Sequence, residues 1–135
     1  MGILFQLYFW EMAMGLDQYA YAVTGRFVND DGSVDWEDKT EIGYWRKHPN
    51  LQGFMENLWR SRGGTGDFNC ATLELSSDDL ESLDDAVRGR SMPETQGFFF
   101  GANSDDHYYD HDLEFIDTAK NQIHNGYEVI YTSWW

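Results

Sequence analysis

Hydrophobic and polar positions alternate along two stretches of the chain with the spacing of β-strands. Residues 17–28, DQYAYAVTGRFV, alternate aromatic or β-branched side chains with small and polar ones. Residues 127–135, YEVIYTSWW, place apolar side chains at both odd and even positions. Because side chains on one face of a strand recur every second residue, the sequence predicts a first strand and a closing strand here. The closing strand is expected to be covered on both faces.

A helical period begins at Pro49. Proline favours non-helical torsions in the residue before it and is well tolerated at the first helical position, so His48 is predicted to be extended and the helix to start at Pro49. The glycine-rich sequence GGTG at residues 63–66 ends this pattern. The apolar face is formed by Leu51, Phe54, Met55, Leu58 and Trp59.

Two further helices are predicted later in the chain. Ser76 or Ser77 is a suitable N-cap for the first, which carries acids in its first turn and stops at Gly89. The second follows the acidic sequence SDDHYYDHD at residues 104–112 and stops at Asn125–Gly126.

Shorter segments complete the predicted order of elements. Residues 29–41 are predicted to be an acidic loop, and the sequence EIGYW after Thr40 a short extended segment. FNCATLEL at 68–75 and GFFFG at 97–101 are predicted to be strands. The whole pattern predicts one α+β domain over residues 14–135, with a mostly antiparallel or mixed sheet of four to five strands and about three helices.

The composition is acidic and rich in aromatic residues. The 135 residues include 24 Asp and Glu against 9 Lys and Arg, which gives a formal charge of −15, and 17% of them are aromatic. So many aromatic residues indicate a folded domain. The charge argues against direct nucleic-acid binding. The negative charge suits a soluble surface, a basic protein partner, or a mimic of nucleic acid. A mimic would require the acids of residues 29–41, 76–88 and 104–112 to form one stripe.

The N-terminal residues and the single cysteine add further expectations. Residues 3–10 are apolar but too short to span a bilayer, and they lack the features of a signal peptide, so no membrane association is expected. Residues 1–13 are predicted to be an extension that could mediate a homodimer if exposed. Cys70 lacks a partner for an intramolecular disulfide and is predicted to be a buried thiol in a strand.

A divalent metal site is one chemical possibility. Asp106, His107, Asp110 and His111 lie within seven residues of each other, and two histidines four apart share a face if both lie on a helix. The structural alternative is that acids gather at a helix N-terminus because the helix dipole favours them. No phosphate-binding glycine motif and no nucleophile elbow is present in the sequence. No cofactor is therefore predicted.

A cationic and aromatic cluster, Tyr44, Trp45, Arg46, Lys47 and His48, is the main binding candidate. It lies just before the Pro49 helix, whose free amides favour anions, and arginine binds phosphate or carboxylate through two hydrogen bonds. An anion or nucleotide pocket is one interpretation. The alternative is that Arg46 pairs with an internal acid while Trp45 fills the core.

Four sequence blocks, MGLDQYAYAV, EIGYWRKHPNLQGFMENLW, FNCATLELSSDDLESL and YEVIYTSWW, resemble a family of small uncharacterised proteins encoded by bacteriophages, marine ones included. The resemblance covers roughly residues 14–135. It implies an accessory protein in the cytoplasm of an infected host cell. Members often carry histidine where Gln52 stands here, and this departure weakens an enzymatic interpretation.

The sequence therefore favours a non-enzymatic module that binds a host protein. A small ligand-binding domain or enzyme with an anion pocket at residues 44–48 is the first alternative. An acidic nucleic-acid mimic is the second.

Overall fold

The computed structural model describes residues 15–97 and 99–135. Its strands are β1 (Asp17–Val28), β2 (Val34–Arg46), β3 (Thr72–Leu75) and β4 (Glu128–Trp134). Its helices are α1 (Pro49–Ser61), α2 (Ser77–Arg88) and α3 (Tyr109–His124). The N-terminal extension predicted over residues 1–13 lies outside the described residues, and so does the homodimer contact predicted for it.

The four strands form one antiparallel sheet in the order β2-β1-β4-β3. β1 and β2 are a long hairpin whose register shifts between Ala20 and Tyr21. β4, the last element of the chain, pairs with β1 on one side and with β3 on the other. The prediction of a single α+β domain is thereby confirmed, with four strands and three helices.

All three helices contribute to a core on one face of the sheet. Leu51 and Met55 of α1, Leu80 and Leu83 of α2, and Phe115 of α3 are buried in one cluster with side chains of the strands. The strand members of that cluster are Ala20, Trp45, Leu73, Leu75, Val129 and Tyr131. On the opposite face a smaller cluster forms from strand residues alone, Tyr21, Val23, Trp36 and Ile130. The sheet thus has a helix-covered face and a face that no described helix covers.

The predicted starts of α1 and α2 are confirmed, whereas α3 begins at Tyr109, inside the acidic stretch that was predicted to precede it. α1 begins at Pro49, after the non-helical torsions of His48. At the start of α2, Ser76 Oγ accepts a hydrogen bond from Asp79 N, and the Asp79 carboxylate accepts one from Ser76 N. This reciprocal capping box satisfies two amides that the helix itself leaves unpaired.

The prediction of an acidic loop over 29–41 was wrong for most of its length. Only residues 29–33 form the turn, and β2 already begins at Val34. Asp35 pairs with Phe27 and Asp38 with Thr24 in the ladder. The acids are tolerated because most side chains in this part of β2 are exposed, while the backbone groups pair with β1.

The strand predicted over 68–75 begins only at Thr72. Cys70 is exposed and has a φ of 67°, so its prediction as a buried strand thiol was wrong. Cys70 lies in a turn before β3, where its amide donates a hydrogen bond of 2.8 Å to the Ser133 carbonyl.

The strand predicted over 97–101 was also wrong. Phe100 N donates to Gly97 O at 3.0 Å, and Gly101 has a φ of 82°, as a turn requires. Phe100 is buried edge-on against Trp135. Phe100 therefore lies in a turn with its own side chain buried, while Gly97 and Gly101 are exposed. Phe98 lies outside the described residues.

Within the described ranges, no helix has the length and apolar character that a membrane crossing would need.

Candidate functional site

The predicted cluster at residues 44–48 is divided between the two faces of the sheet. Trp45 points into the helix-covered core and has no exposed surface. The ring of Tyr44 lies on the other face, where it is 40% exposed and contacts Tyr19. His48 is fully buried at the start of α1. The geometry therefore does not bring the five side chains around one cavity.

Arg46 forms an ion pair at the end of the β1–β2 hairpin. Its Nη1 lies 2.9 Å from Asp17 Oδ2, and both side chains are half-buried. The Tyr44 hydroxyl donates to the other oxygen of the same carboxylate at 2.8 Å. Burial, together with this hydrogen bond to Asp17, raises the pKa of Tyr44 to about 12. The anchoring alternative for Arg46 matches this geometry.

His48 is held between a carboxylate and a hydroxyl. Its Nε2 lies 2.9 Å from Asp112 Oδ2, and its Nδ1 lies 3.0 Å from Ser104 Oγ. The second oxygen of Asp112 accepts a hydrogen bond of 2.8 Å from Trp45 Nε1. His48 and Asp112 are both buried, while Ser104 is half-buried. Tyr108 stacks on the imidazole with ring centres 4.7 Å apart.

A chain of buried amides and hydroxyls continues from His48 across the sheet. Gln18 accepts from His48 N at 2.8 Å and donates both to His48 O and to the Tyr131 hydroxyl at 3.0 Å. Tyr131 donates to Gln52 Oε1 at 2.5 Å, and Gln52 Nε2 donates to Ser133 Oγ at 2.9 Å. Every member is fully buried, so each polar atom needs the partner it has. Sequence reasoning missed this network, although Gln18 and Gln52 stand at positions facing the core.

An open cleft of about 600 Å³ lies beside the Ser104 hydroxyl. It is lined by Arg90, Asn103, Ser104, Asp105, Asp106 and His107. Asp105 Oδ2 accepts from Asn50 at 3.0 Å, whereas its buried Oδ1 has no hydrogen-bond partner among the described residues. That oxygen lies 4.0 Å from His48 Nδ1.

Lys47 and Arg90, at the edge of this region, adopt strained backbone torsions. Their φ angles are 56° and 55°, in the left-handed region that side chains other than glycine rarely occupy. The Lys47 carbonyl accepts from Ser104 Oγ at 3.2 Å, and its amide donates to Leu16 O. Such strain persists only where surrounding contacts impose it, and it is frequent at functional sites.

The predicted metal ligands are not brought together. His107 precedes α3, which begins at Tyr109, so it does not share a helical face with His111. His111 Nε2 donates to the Tyr44 carbonyl at 2.8 Å, and Asp106 pairs with Arg90. No group of three or more His, Cys, Asp or Glu side chains in residues 15–97 and 99–135 is arranged to hold a metal ion. A metal site at Asp106, His107, Asp110 and His111 stays a prediction without geometric support.

The face of the sheet that no described helix covers, which we call the helix-free face, carries a row of aromatic rings. Tyr19 stacks on Trp134 at 4.6 Å and contacts Tyr44 at 5.1 Å and Tyr21 at 6.1 Å between ring centres. Tyr44 and Trp134 are 40% and 43% exposed. We call Tyr19, Tyr21, Tyr44 and Trp134 the aromatic row.

An open cleft of about 410 Å³ continues the same face toward the hairpin turn. It is lined by Arg26, Ser33, Val34, Trp36, Thr72 and Glu74. Glu74 shares a hydrogen bond with the neighbouring carboxylate of Glu128, and this bond, together with burial, raises the pKa of Glu74. Trp36 Nε1 approaches Glu128 Oε2 at 3.4 Å. Two carboxylates are thus held against each other beside an indole ring.

Comparisons with known protein families, curated proteins and solved structures found no match to this chain. The resemblance to bacteriophage-encoded proteins stays a prediction from the quoted sequence blocks.

Proposed function

We propose that this protein is a binding module that holds a basic, partly apolar segment of a partner protein on the helix-free face of its sheet. The observation that carries the proposal is the aromatic row, whose exposed rings lie beside carboxylates. In the phage setting that the sequence resemblance implies, the partner is a host protein.

The aromatic row has the chemistry of a binding surface. Exposed aromatic rings are enriched in protein interfaces because they bury a large area at a small cost in conformational entropy. The faces of Trp and Tyr rings also attract Lys and Arg side chains, by about 0.5–2 kcal/mol for each contact. Tyr19 and Trp134 stack on each other, so the surface is already ordered before a partner arrives.

The charge selects a basic partner. Glu41 lies across the β1–β2 ladder from Tyr21, and Glu74, which lines the cleft of about 410 Å³, neighbours Glu128. Arg46, two residues after Tyr44 of the aromatic row, is paired with Asp17. The net charge of −15 adds a long-range attraction that speeds association with basic segments and falls with added salt.

The test is the binding of a fluorescent peptide that alternates Lys or Arg with Leu, against a matched peptide in which Glu replaces the basic residues. We expect only the basic peptide to bind, measured by fluorescence anisotropy, with an affinity that falls with salt. Trp134→Ser should weaken binding by at least tenfold. The control is Tyr127→Ser, since Tyr127 is 40% exposed and lies outside the aromatic row.

Two results would contradict the proposal. Equal binding of the basic and acidic peptides would show that charge does not select the partner. Equal loss of affinity in Trp134→Ser and Tyr127→Ser would show that the aromatic row is not the surface used.

A further inference from the structure

We infer that Ser104 is an activated nucleophile and that Ser104, His48 and Asp112 form a relay able to hydrolyse small uncharged or cationic esters. This inference concerns the helix-covered side of the sheet and different residues from the proposed binding surface.

The three side chains have the connectivity that nucleophilic catalysis by serine needs. Ser104 Oγ is 3.0 Å from one imidazole nitrogen of His48, and Asp112 Oδ2 is 2.9 Å from the other. A hydroxyl becomes nucleophilic when an adjacent base, itself oriented by a third group, takes its proton. Here the hydroxyl contacts Nδ1 and the carboxylate Nε2. Either imidazole nitrogen can serve as the base, provided that the other holds the proton.

The surroundings fix that tautomer. Both oxygens of Asp112 accept hydrogen bonds, one from Trp45 Nε1 and one from His48 Nε2. A carboxylate that accepts at both oxygens leaves the His48 proton on Nε2, and the lone pair of Nδ1 faces Ser104. The hydroxyl has a second acceptor in the Lys47 carbonyl, but at the longer distance of 3.2 Å.

Asp105 supplies an independent observation. Its buried Oδ1, 4.0 Å from Nδ1, has no hydrogen-bond partner in the described part of the chain. A buried polar atom without a partner calls for an explanation, and a catalytic role is one. When Nδ1 takes the serine proton, this oxygen and Asp112 stabilise the imidazolium from its two sides.

Ser104 is also accessible to a small substrate. It lines the open cleft of about 600 Å³, with His48 buried behind it. Asn103 and Arg90 supply hydrogen-bond donors at the same wall, whereas Asp105 and Asp106 make the wall net acidic. An anionic ester would be repelled here, and for this reason the inferred substrates are uncharged or cationic.

The chemical steps balance with water as the only co-reactant. Ser104 Oγ bonds to the ester carbonyl carbon while its proton passes to His48 Nδ1. The acyl–oxygen bond then breaks, and Nδ1 returns the proton to the departing alcohol. Water attacks the acyl-serine as Nδ1 takes its proton and then passes it to Ser104 Oγ, which releases the acid.

The experiment is covalent labelling of the folded protein with an uncharged fluorophosphonate, followed by peptide mass mapping. We expect one modified residue, Ser104, and a steady-state release of p-nitrophenol from p-nitrophenyl acetate. Ser104→Ala should abolish both signals. Ser61→Ala should leave them unchanged, because the Ser61 hydroxyl is exposed and donates to the Leu58 carbonyl of its own helix.

Labelling of the wild-type protein unfolded in urea provides a reference that requires no substitution. If the fold activates Ser104, labelling of that residue should fall at least a hundredfold on unfolding. Labelling of Ser104 at equal rates in the folded and unfolded chain would overturn the inference. So would a folded protein in which Ser104 stays unmodified after prolonged exposure to the probe.

Discussion

Asp112 and His48 are 64 residues apart in sequence, yet Asp112 Oδ2 lies 2.9 Å from His48 Nε2 with both side chains fully buried. The contact joins the first turn of α3 to the residue that precedes α1. Because Asp112 also accepts from Trp45 at the end of β2, one carboxylate connects the sheet to both helices. Its buried position makes the contact costly to disrupt from either side.

Replacing Asp112 should therefore be strongly destabilising. Asp112→Ala leaves His48 Nε2 and Trp45 Nε1 buried without acceptors, and we expect a loss of about 3–5 kcal/mol in the free energy of unfolding. Urea denaturation followed by tryptophan fluorescence measures it. The control is Asp110→Ala, an exposed acid of the same helix, which should change stability by less than about 0.5 kcal/mol. A loss below about 1 kcal/mol for Asp112→Ala would contradict this account.

The Tyr131 hydroxyl should stabilise the buried amide network by a measurable amount. Tyr131→Phe removes the donor to Gln52 Oε1 and one acceptor of Gln18. Since a buried polar atom without a partner costs about 1–3 kcal/mol, the free energy of unfolding should fall by that amount. Tyr127→Phe, at an exposed position, serves as the control in the same urea titration. Equal stability of the two variants would mean that water replaces the lost hydroxyl.

Alkaline pH should destabilise the protein through its tyrosines. Burial raises the pKa of Tyr131 far above its ordinary value, and burial with the Asp17 contact raises that of Tyr44 to about 12. In the unfolded chain both phenols ionise near pH 10. Their contribution to the free energy of unfolding is thus complete below about pH 10, and it is lost as the pH rises from 10 toward 12. Urea midpoints between pH 8 and 11 measure the loss, which should be smaller in Tyr44→Phe. Midpoints that do not fall above pH 10 would contradict the prediction.

Binding of the basic peptide should tighten as pH rises through the pKa of Glu74. The hydrogen bond that the protonated Glu74 donates to Glu128, burial and repulsion by Glu128 all raise this pKa, while Arg26 and Arg62 lower it. A cation placed between the two carboxylates favours their fully ionised form, so binding releases a proton. Peptide anisotropy titrations from pH 4 to pH 7 should show this trend. Glu128→Gln should flatten it, whereas Glu56→Gln on α1 should leave it unchanged. If the affinity of the wild-type protein for the basic peptide does not change with pH, the peptide cation does not bind between Glu74 and Glu128.

Arg46→Ala distinguishes an anchor from an anion clamp. After the substitution, Asp17 still accepts the hydrogen bond from the Tyr44 hydroxyl. The Arg46–Asp17 ion pair is also partly screened by solvent. We therefore expect a loss of about 1–3 kcal/mol in unfolding free energy, typical of a hydrogen bond to a charged group. A thermal-shift screen with nucleotides and phosphorylated metabolites should show no ligand stabilisation that depends on Arg46. Unchanged stability together with the loss of such a ligand shift would instead support the anion pocket.

Local chemistry predicted the helices well. Pro49 marks the start of α1 and the reciprocal contacts of Ser76 and Asp79 mark that of α2, because both signals act over a few neighbouring residues. The predicted strands were less accurate. The β-structure of Val34–Arg46 depends on pairing with β1, which compensates for acids that local propensity disfavours.

The candidate sites depend on contacts that the order of residues does not reveal. The sequence singled out His48 and, through the acidic stretch, Asp112, but neither spacing nor composition indicated that they meet. Ser104 gave no signal at all, since a serine in a loop is common. Geometry alone separated Trp45 from Arg46, because adjacent residues of a strand face opposite sides of the sheet.

By itself, the sequence determined the α+β class, the positions of the helices and the acidic, aromatic character of the surface, since period, caps and charge are local or additive properties. Only the tertiary structure decided which polar residues became buried partners and which aromatic rings stayed uncovered. Those outcomes depend on β4 pairing between β1 and β3 and on all three helices packing against one face. Such pairings join residues far apart in the chain, and their free energy exists only once the whole domain has assembled.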